Sequence, residues 1–328
     1  MSYFYPRCRM ARDLDPTSLI DLARQGDRRA LARMITLVEN RQPDGDELLE
    51  RLYASTGSAW TTGITGAPGS GKSTLTDRLI EKARERGSEV AVVAVDPSSP
   101  FTGGAILGDR VRMQRHIDDA GVYIRSMASR GHLGGIAEAT PRVVAVLDGL
   151  GFPEVVVETV GVGQAEVEIA AASDTTLVTL NPGWGDSIQA AKAGLLEIGD
   201  VFVVNKADRP GVDDTVRDLK QMLELGAHRR WSPPVVTTVA TRGDGIEEVM
   251  SAIDEHRSYL ERTGGRDEAR RNRALELLDA AVDAEMRERF MARRTGPRFE
   301  EIRADVADRR IDPWTAAALL VRGETSQR

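Results

Sequence analysis

The stretch GAPGSGKST (66–74) constrains this chain more than any other. Gly66, Gly71, Lys72 and Ser73 fit G-x-x-x-x-G-K-[ST]; TTGIT before them reads as a strand and STLTDRLIEKARE after them as a helix. A strand that turns through glycines into a helix aims several backbone N–H groups at one spot, and the positive end of the helix dipole adds to them. Such a nest holds phosphate. Gly66, Ala67, Pro68, Gly69, Ser70, Gly71, Lys72, Ser73 and Thr74 are therefore the expected cradle. Lys72 is expected to reach the β- and γ-phosphates of a nucleoside triphosphate, and the Ser73 hydroxyl to ligate Mg²⁺.

The surroundings agree with that motif. From Trp60 onward, short β-rich runs at 60–65, 90–95, 122–126, 154–159, 175–180, 200–204 and 235–239 alternate with helical stretches at 71–86, 138–150, 164–172, 186–198, 212–225 and 245–261. This alternation predicts an α/β fold of the P-loop NTPase kind, a mostly parallel sheet flanked by helices. Ahead of it, residues 17–40 read as helix broken near Gly26, QPDGDE as a turn, and LLERLYAST as a further short helix. After TGGR (263–266) the strands stop. The stretch 268–291 sets Leu275, Leu278, Val282, Met286 and Phe290 on one face of a long helix, and a second short helical stretch follows to about Leu320. The expected division is a tail and helical extension (1–55), a nucleotide-binding domain (56–262) and a C-terminal helical arm (263–328).

The base is read from VFVVNKAD (201–208). Asp208 can accept from guanine's N1–H and exocyclic amine, whereas adenine presents a lone pair there; a site left with unpaired polar groups discriminates strongly. Asn205 is expected to brace the loop and the Lys206 stem to pack over the ring. In TVATRGDG (238–245), the N–H groups of Ala240 and Thr241 are candidates for the guanine O6. GTP and GDP are thus the expected ligands. Mg²⁺ needs only one or two carboxylates beside phosphate oxygens, and the strand-end acids Asp96 and Glu158, with Asp109, offer three. Gly161, in VVVETVGVGQ (155–164), is placed to donate its N–H to a γ-phosphate. Lys72, Asp109, Glu158, Gln164 and Lys192, the last within NPGWGDSIQAAKAG (181–194), are the candidate catalytic side chains.

Composition excludes several classes. A net charge of -7 argues against a nucleic-acid partner, and one cysteine, Cys8, excludes an internal disulfide or a cysteine metal cluster. The apolar runs are too short to span a bilayer, and MSYFYPRCRMARD lacks the apolar core of a signal peptide, so a cytoplasmic protein with no membrane partner is expected. Lysine is confined to positions 72, 82, 192, 206 and 220 in an arginine-rich chain, and Lys72 and Lys206 fall inside the GAPGSGKST and NKAD motifs.

Taken together, GAPGSGKST, AVDPSSPFTGGAILGDRVRM, SRGHLGG, VETVGVGQ, NPGWGDSIQAAKAG and NKAD resemble the MeaB/ArgK family, the P-loop GTPases associated with methylmalonyl-CoA mutase. The resemblance runs from about Thr17 to Leu320. It implies a GTPase that chaperones an adenosylcobalamin-dependent mutase, gating cofactor loading and protecting or reactivating its partner. It also implies Mg²⁺ held by Ser73 and the acids Asp96, Asp109 and Glu158, a further switch at 181–192, and a homodimer joined through C-terminal helical arms. A metallochaperone GTPase is the alternative, although the four histidines lack ligand spacing. A small-molecule kinase of the older amino-acid-transport description is another.

Overall fold

The structure is a computed structural model and describes residues 14–96, 114–116, 118–128, 139–159, 165–183, 194–225, 230–292 and 296–322. Among these residues, seven strands form one sheet: β1 (Trp60–Gly66), β2 (Val90–Asp96), β3 (Val122–Ala128), β4 (Glu154–Thr159), β5 (Thr175–Leu180), β6 (Val201–Asn205) and β7 (Val235–Thr238). Every pairing is parallel, in the order β3-β2-β4-β1-β5-β6-β7. The strands were legible because a parallel sheet is covered on both faces, so its strands appear as unbroken β-branched runs. Side chains alternate in direction along them. Val155 and Val157 join one core cluster, while Val156 joins the cluster on the other face.

The first face is covered by α1 (Pro16–Arg24), α2 (Arg28–Glu39) and α3 (Pro43–Tyr53), with Leu19, Met34, Ile35 and Leu48 packed beside Ala91 and Val93. The stretch read as the turn QPDGDE is instead the start of α3. Pro43 stands in its first turn, where a missing N–H costs nothing, and Asp44 and Asp46 complement the helix dipole. The opposite face carries α4 (Lys72–Glu85). On the first side follow α5 (Thr140–Gly149) and α6 (Ala165–Ala172), with α7 (Leu195–Ile198) and α8 (Val212–Leu225) by β5 and β6. The last helix of this unit, α9 (Ile246–Thr263), packs beside α4.

The chain divides into two compact units at Arg266–Asp267, and the three N-terminal helices lie within the first. The second contains most of α10 (Gly265–Ala292), then α11 (Pro297–Ala307) and α12 (Pro313–Arg322), the last two burying Phe299, Ile302 and Ala316. The final helical stretch is thus two helices rather than one. The chain turns at Arg309 (φ 58°), and Asp312 caps α12 by accepting from the N–H groups of Trp314 and Thr315.

The amino edge of the sheet holds a buried histidine and a partly buried carboxylate whose titrations are both shifted. His256 of α9 is 3% exposed; its Nδ1 lies 3.0 Å from the Thr175 hydroxyl and its Nε2 3.5 Å from Asp200. Burial pushes its pKa down to about 4, against the opposing charge of Asp174. Glu154 begins β4 and faces Arg257 and Asp254 of α9 and Arg86 at the end of α4; burial raises its carboxyl to about 7. The two groups act oppositely on stability. As pH falls from 6.5 toward 4, only the unfolded chain protonates His256, which weakens the fold. As pH rises from 4.5 toward 7, only the unfolded chain releases the Glu154 proton, which also weakens it. Glu154→Gln removes the second effect alone. Allowing for its partial exposure, the variant is expected to gain about 1–2 kcal/mol on the parent across the Glu154 window. Urea unfolding at fixed pH reads this, and a difference that stays constant with pH would rule it out.

Candidate functional site

Because all strands run parallel, the loops leaving their carboxyl ends meet along one edge. β1 is central there, with β4 and then β2 on one side, and β5, β6 and β7 on the other. The strand ends of β4 and β2 therefore flank the phosphate loop on the side opposite NKAD and TVATRGDG, which follow β6 and β7.

The phosphate loop has a defined shape. Gly66 has φ 132°, and a Cβ on it would lie 2.1 Å from the Thr179 carbonyl oxygen. Gly71, φ 93°, caps α4, and a Cβ there would come within 2.3 Å of Asn205 Nδ2. Both positions need glycine for conformation and for space. Pro68 and Gly69 form an exposed crest, Ala67, Ser70, Lys72 and Ser73 are buried, and Thr74 is half-buried. The Lys72 ammonium donates to the carbonyls of Gly66 (2.7 Å) and Ala67 (3.0 Å), so its charge lies along the loop rather than in solvent. The Ser73 hydroxyl donates to Glu158 Oε1 at 2.6 Å, and Glu158 is 1% exposed. A hydroxyl and a carboxylate meeting at a helix N-terminus are hard oxygen donors, and this donor set fits Mg²⁺. β2 ends at Asp96, whose side chain, like Asp109, Gly161, Gln164 and Lys192, lies outside the described residues.

On the other side, Asn205 ties three loops together. It is 2% exposed; its Nδ2 donates to the Ser70 carbonyl at 2.8 Å, and its Oδ1 accepts from the Thr238 hydroxyl and the Ala240 N–H, each at 3.1 Å. The Ala240 N–H is thus committed to Asn205, with which a guanine O6 would have to compete. Lys206, in a left-handed conformation at φ 61°, donates through Nζ to the Gly69 carbonyl at 2.6 Å. Asp208 is exposed beside it.

Sequence reasoning missed Arg78. From α4 its guanidinium donates to the carbonyls of Ala240 (3.1 Å) and Thr241 (3.0 Å), and it pairs with Glu81 at 2.7 Å. No local pattern marks such a residue, because the carbonyls it holds lie more than 160 positions away. Asn181, just after β5, also reaches the crest, with its Nδ2 3.5 Å from the Gly69 carbonyl. Asn205→Ala would strip three buried groups of one partner each, and a loss of about 2–4 kcal/mol in unfolding free energy is expected. Urea denaturation measures it; an unchanged midpoint would mean that the clamp contributes nothing.

The comparisons place this geometry among known proteins. The chain matches, over residues 31–295, the family described as methylmalonyl Co-A mutase-associated GTPase MeaB. A Pyrococcus abyssi relative is 49% identical over 308 residues, 93% of this chain and 95% of its own. The fused isobutyryl-CoA mutase of Cupriavidus metallidurans is 38% identical over 249 residues, 73% of this chain and 22% of that much longer one. Among solved structures, a protein named LAO/AO transport system kinase superposes with a TM-score of 0.68 at 26% identity, covering 94% of this chain and 96% of its own. The chain belongs to the MeaB family of methylmalonyl-CoA mutase-associated P-loop GTPases.

Proposed function

We propose that this chain hydrolyses GTP to GDP and phosphate as a chaperone of an adenosylcobalamin-dependent acyl-CoA mutase of the methylmalonyl-CoA type. It would gate cofactor loading and protect or reactivate its partner. The observation that carries this reading is the fused isobutyryl-CoA mutase, in which a segment similar to this chain is part of a protein named as a mutase. Fusion of two functions on one polypeptide keeps them at high effective concentration, and it supports a working contact between the same two functions on separate chains.

Residues 66–74 would cradle the phosphates, with Lys72 on the β- and γ-oxygens. Ser73 and Glu158 would hold Mg²⁺ together with one of Asp96 and Asp109. Bound Mg²⁺ supplies charge neutralisation at the β- and γ-oxygens. Gly161 would meet the γ-phosphate, and Gln164 and Lys192 would complete the catalytic set. Asn205 would brace the base-binding loop, Lys206 would cover the ring, and Asp208 would select guanine. Ala240 and Thr241 would close that end, held by Arg78. No helix among the described residues is long and apolar enough to cross a membrane.

The arm beyond residue 263 would join two copies. Leu275, Leu278, Val282 and Met286 of α10 are 57%, 57%, 48% and 64% exposed, an apolar stripe that a second copy would cover. Light scattering of the full chain should report a dimer, and a monomer at all concentrations would remove the arm's role. The functional test is co-purification of the chain with the acyl-CoA mutase of its own organism, in GDP and in a non-hydrolysable GTP analogue. Complex formation that differs between the two states is expected; equal and negligible binding in both would leave a GTPase without this partner.

A further inference from the structure

A cavity of 240 Å³ lies at the amino edge of the sheet, between α4 and α9 and above the starts of β1, β2 and β4. It stands apart from the nucleotide edge: β1 runs from Trp60, in its wall, to Gly66 in the phosphate loop, about 20 Å away at the usual rise per residue. One part of its wall is apolar, with Trp60, Leu79, Ala83 and Met250, and another is charged, with Glu154 and Arg257. For scale, an apolar cavity of about 150 Å³ is enough to accept benzene.

The charged groups around it are paired, but not equally well. Arg86 is held by Asp254 (2.8 Å) and Glu247 (3.1 Å), and Arg257 by Glu154 (3.4 Å) and Glu261 (3.3 Å); of these, Arg86, Arg257, Glu154 and Asp254 line the cavity. Glu154 is the least exposed of these acids, at 28% against 50% or more for the others, and its ion pair is the longest. It also lines the cavity. A partly buried carboxylate whose hydrogen bond is long gains from a second donor. The Trp60 ring already has the guanidiniums of Arg257 and Arg266 over it, at 5.0 and 5.2 Å, so a further cation would be drawn to Glu154 rather than to the indole.

We propose that this cavity is a second binding site, for a small organic ammonium ligand whose apolar body fills the space between α4 and α9 and whose charged nitrogen donates to Glu154. The site does not depend on the GTPase assignment, although its walls belong to elements that also carry the nucleotide loops. α4 begins with Lys72 and Ser73 and ends at the cavity, and β4 runs from Glu154 to the strand end that carries Glu158.

Benzylammonium, a compact ring with one charged nitrogen, is a suitable probe. Isothermal titration calorimetry on the full chain should give saturable one-to-one binding at about pH 8. Binding should be about tenfold weaker at about pH 6, because Glu154, with its carboxyl raised to about 7, keeps its proton there. Glu154→Gln should lose about tenfold or more in affinity and all of that pH dependence. Ala83→Phe, which fills the cavity, should abolish binding, and thermal melting by circular dichroism reports whether each variant is folded. Neutral benzyl alcohol should bind at least about tenfold more weakly than the amine. Absence of saturable binding at millimolar amine, or binding by a folded Glu154→Gln variant equal to the parent's, would overturn the proposal.

Discussion

Lys72→Ala is expected to lower single-turnover GTP hydrolysis by about 10²–10³-fold, the usual loss when one preorganised donor to a developing anionic charge is removed. Lys72 is 6% exposed and its ammonium is anchored on the Gly66 and Ala67 carbonyls, so the loop already fixes its position and little ordering would remain on binding a phosphate. Lys72→Arg distinguishes charge from shape. In a chain that strongly prefers arginine, lysine persists here beneath a tight glycine turn. A planar guanidinium cannot take the place of a compact ammonium between two backbone carbonyls. Arginine should therefore recover less than about a tenth of the lost rate. Parent-like turnover in Lys72→Ala would remove Lys72 from the mechanism, and full rescue by arginine would reduce its role to charge alone.

What was legible in the sequence follows from how locally each feature is determined. The seven strands and the helices between them stand out because burial on both faces imposes apolar β-branched runs, and the glycine turn into α4 carries its own signature. The start of α3 was misread because proline and aspartate signal turns and helix N-termini alike, and only the hydrophobic residues that follow, Leu48 and Leu52, decide between them. The break at Arg309 was hidden in a polar stretch with no glycine to announce it. In the site, no spacing rule reveals that Arg78 holds the 240–241 loop, or that Asn205 Oδ1 occupies the Ala240 N–H. The first needs α4, which follows β1, to face the loop after β7, and the second needs β6 and β7 to lie side by side, so each is set by the strand order. Glu154 is a similar case. As a lone acid at a strand start it reads as solvated, and only the packing of α4 against α9 encloses it.

Glu158→Ala should separate hydrolysis from binding. The acid sits where nucleotide switches often carry aspartate, and its extra methylene lets it reach the Ser73 hydroxyl, at 2.6 Å, from the end of β4. That contact joins the two oxygen donors that would hold Mg²⁺, and both are buried, so the pair is arranged by the fold itself. On the proposed reading, GDP affinity would rest mainly on the backbone N–H cradle and the loops after β6 and β7, to which Glu158 contributes no backbone group. The alanine variant should therefore bind GDP within about threefold of the parent while Mg²⁺-dependent hydrolysis falls by about 10²–10³-fold. Glu158→Gln preserves an acceptor for Ser73 but removes the charge, so it should restore loop geometry without restoring the rate. Glu158→Asp is too short to keep the 2.6 Å contact and should bring a higher Mg²⁺ requirement. Calorimetry with GDP and hydrolysis assays across a Mg²⁺ series measure these quantities. A variant that lost GDP affinity but kept its rate would assign Glu158 to shaping the cradle instead of serving the metal.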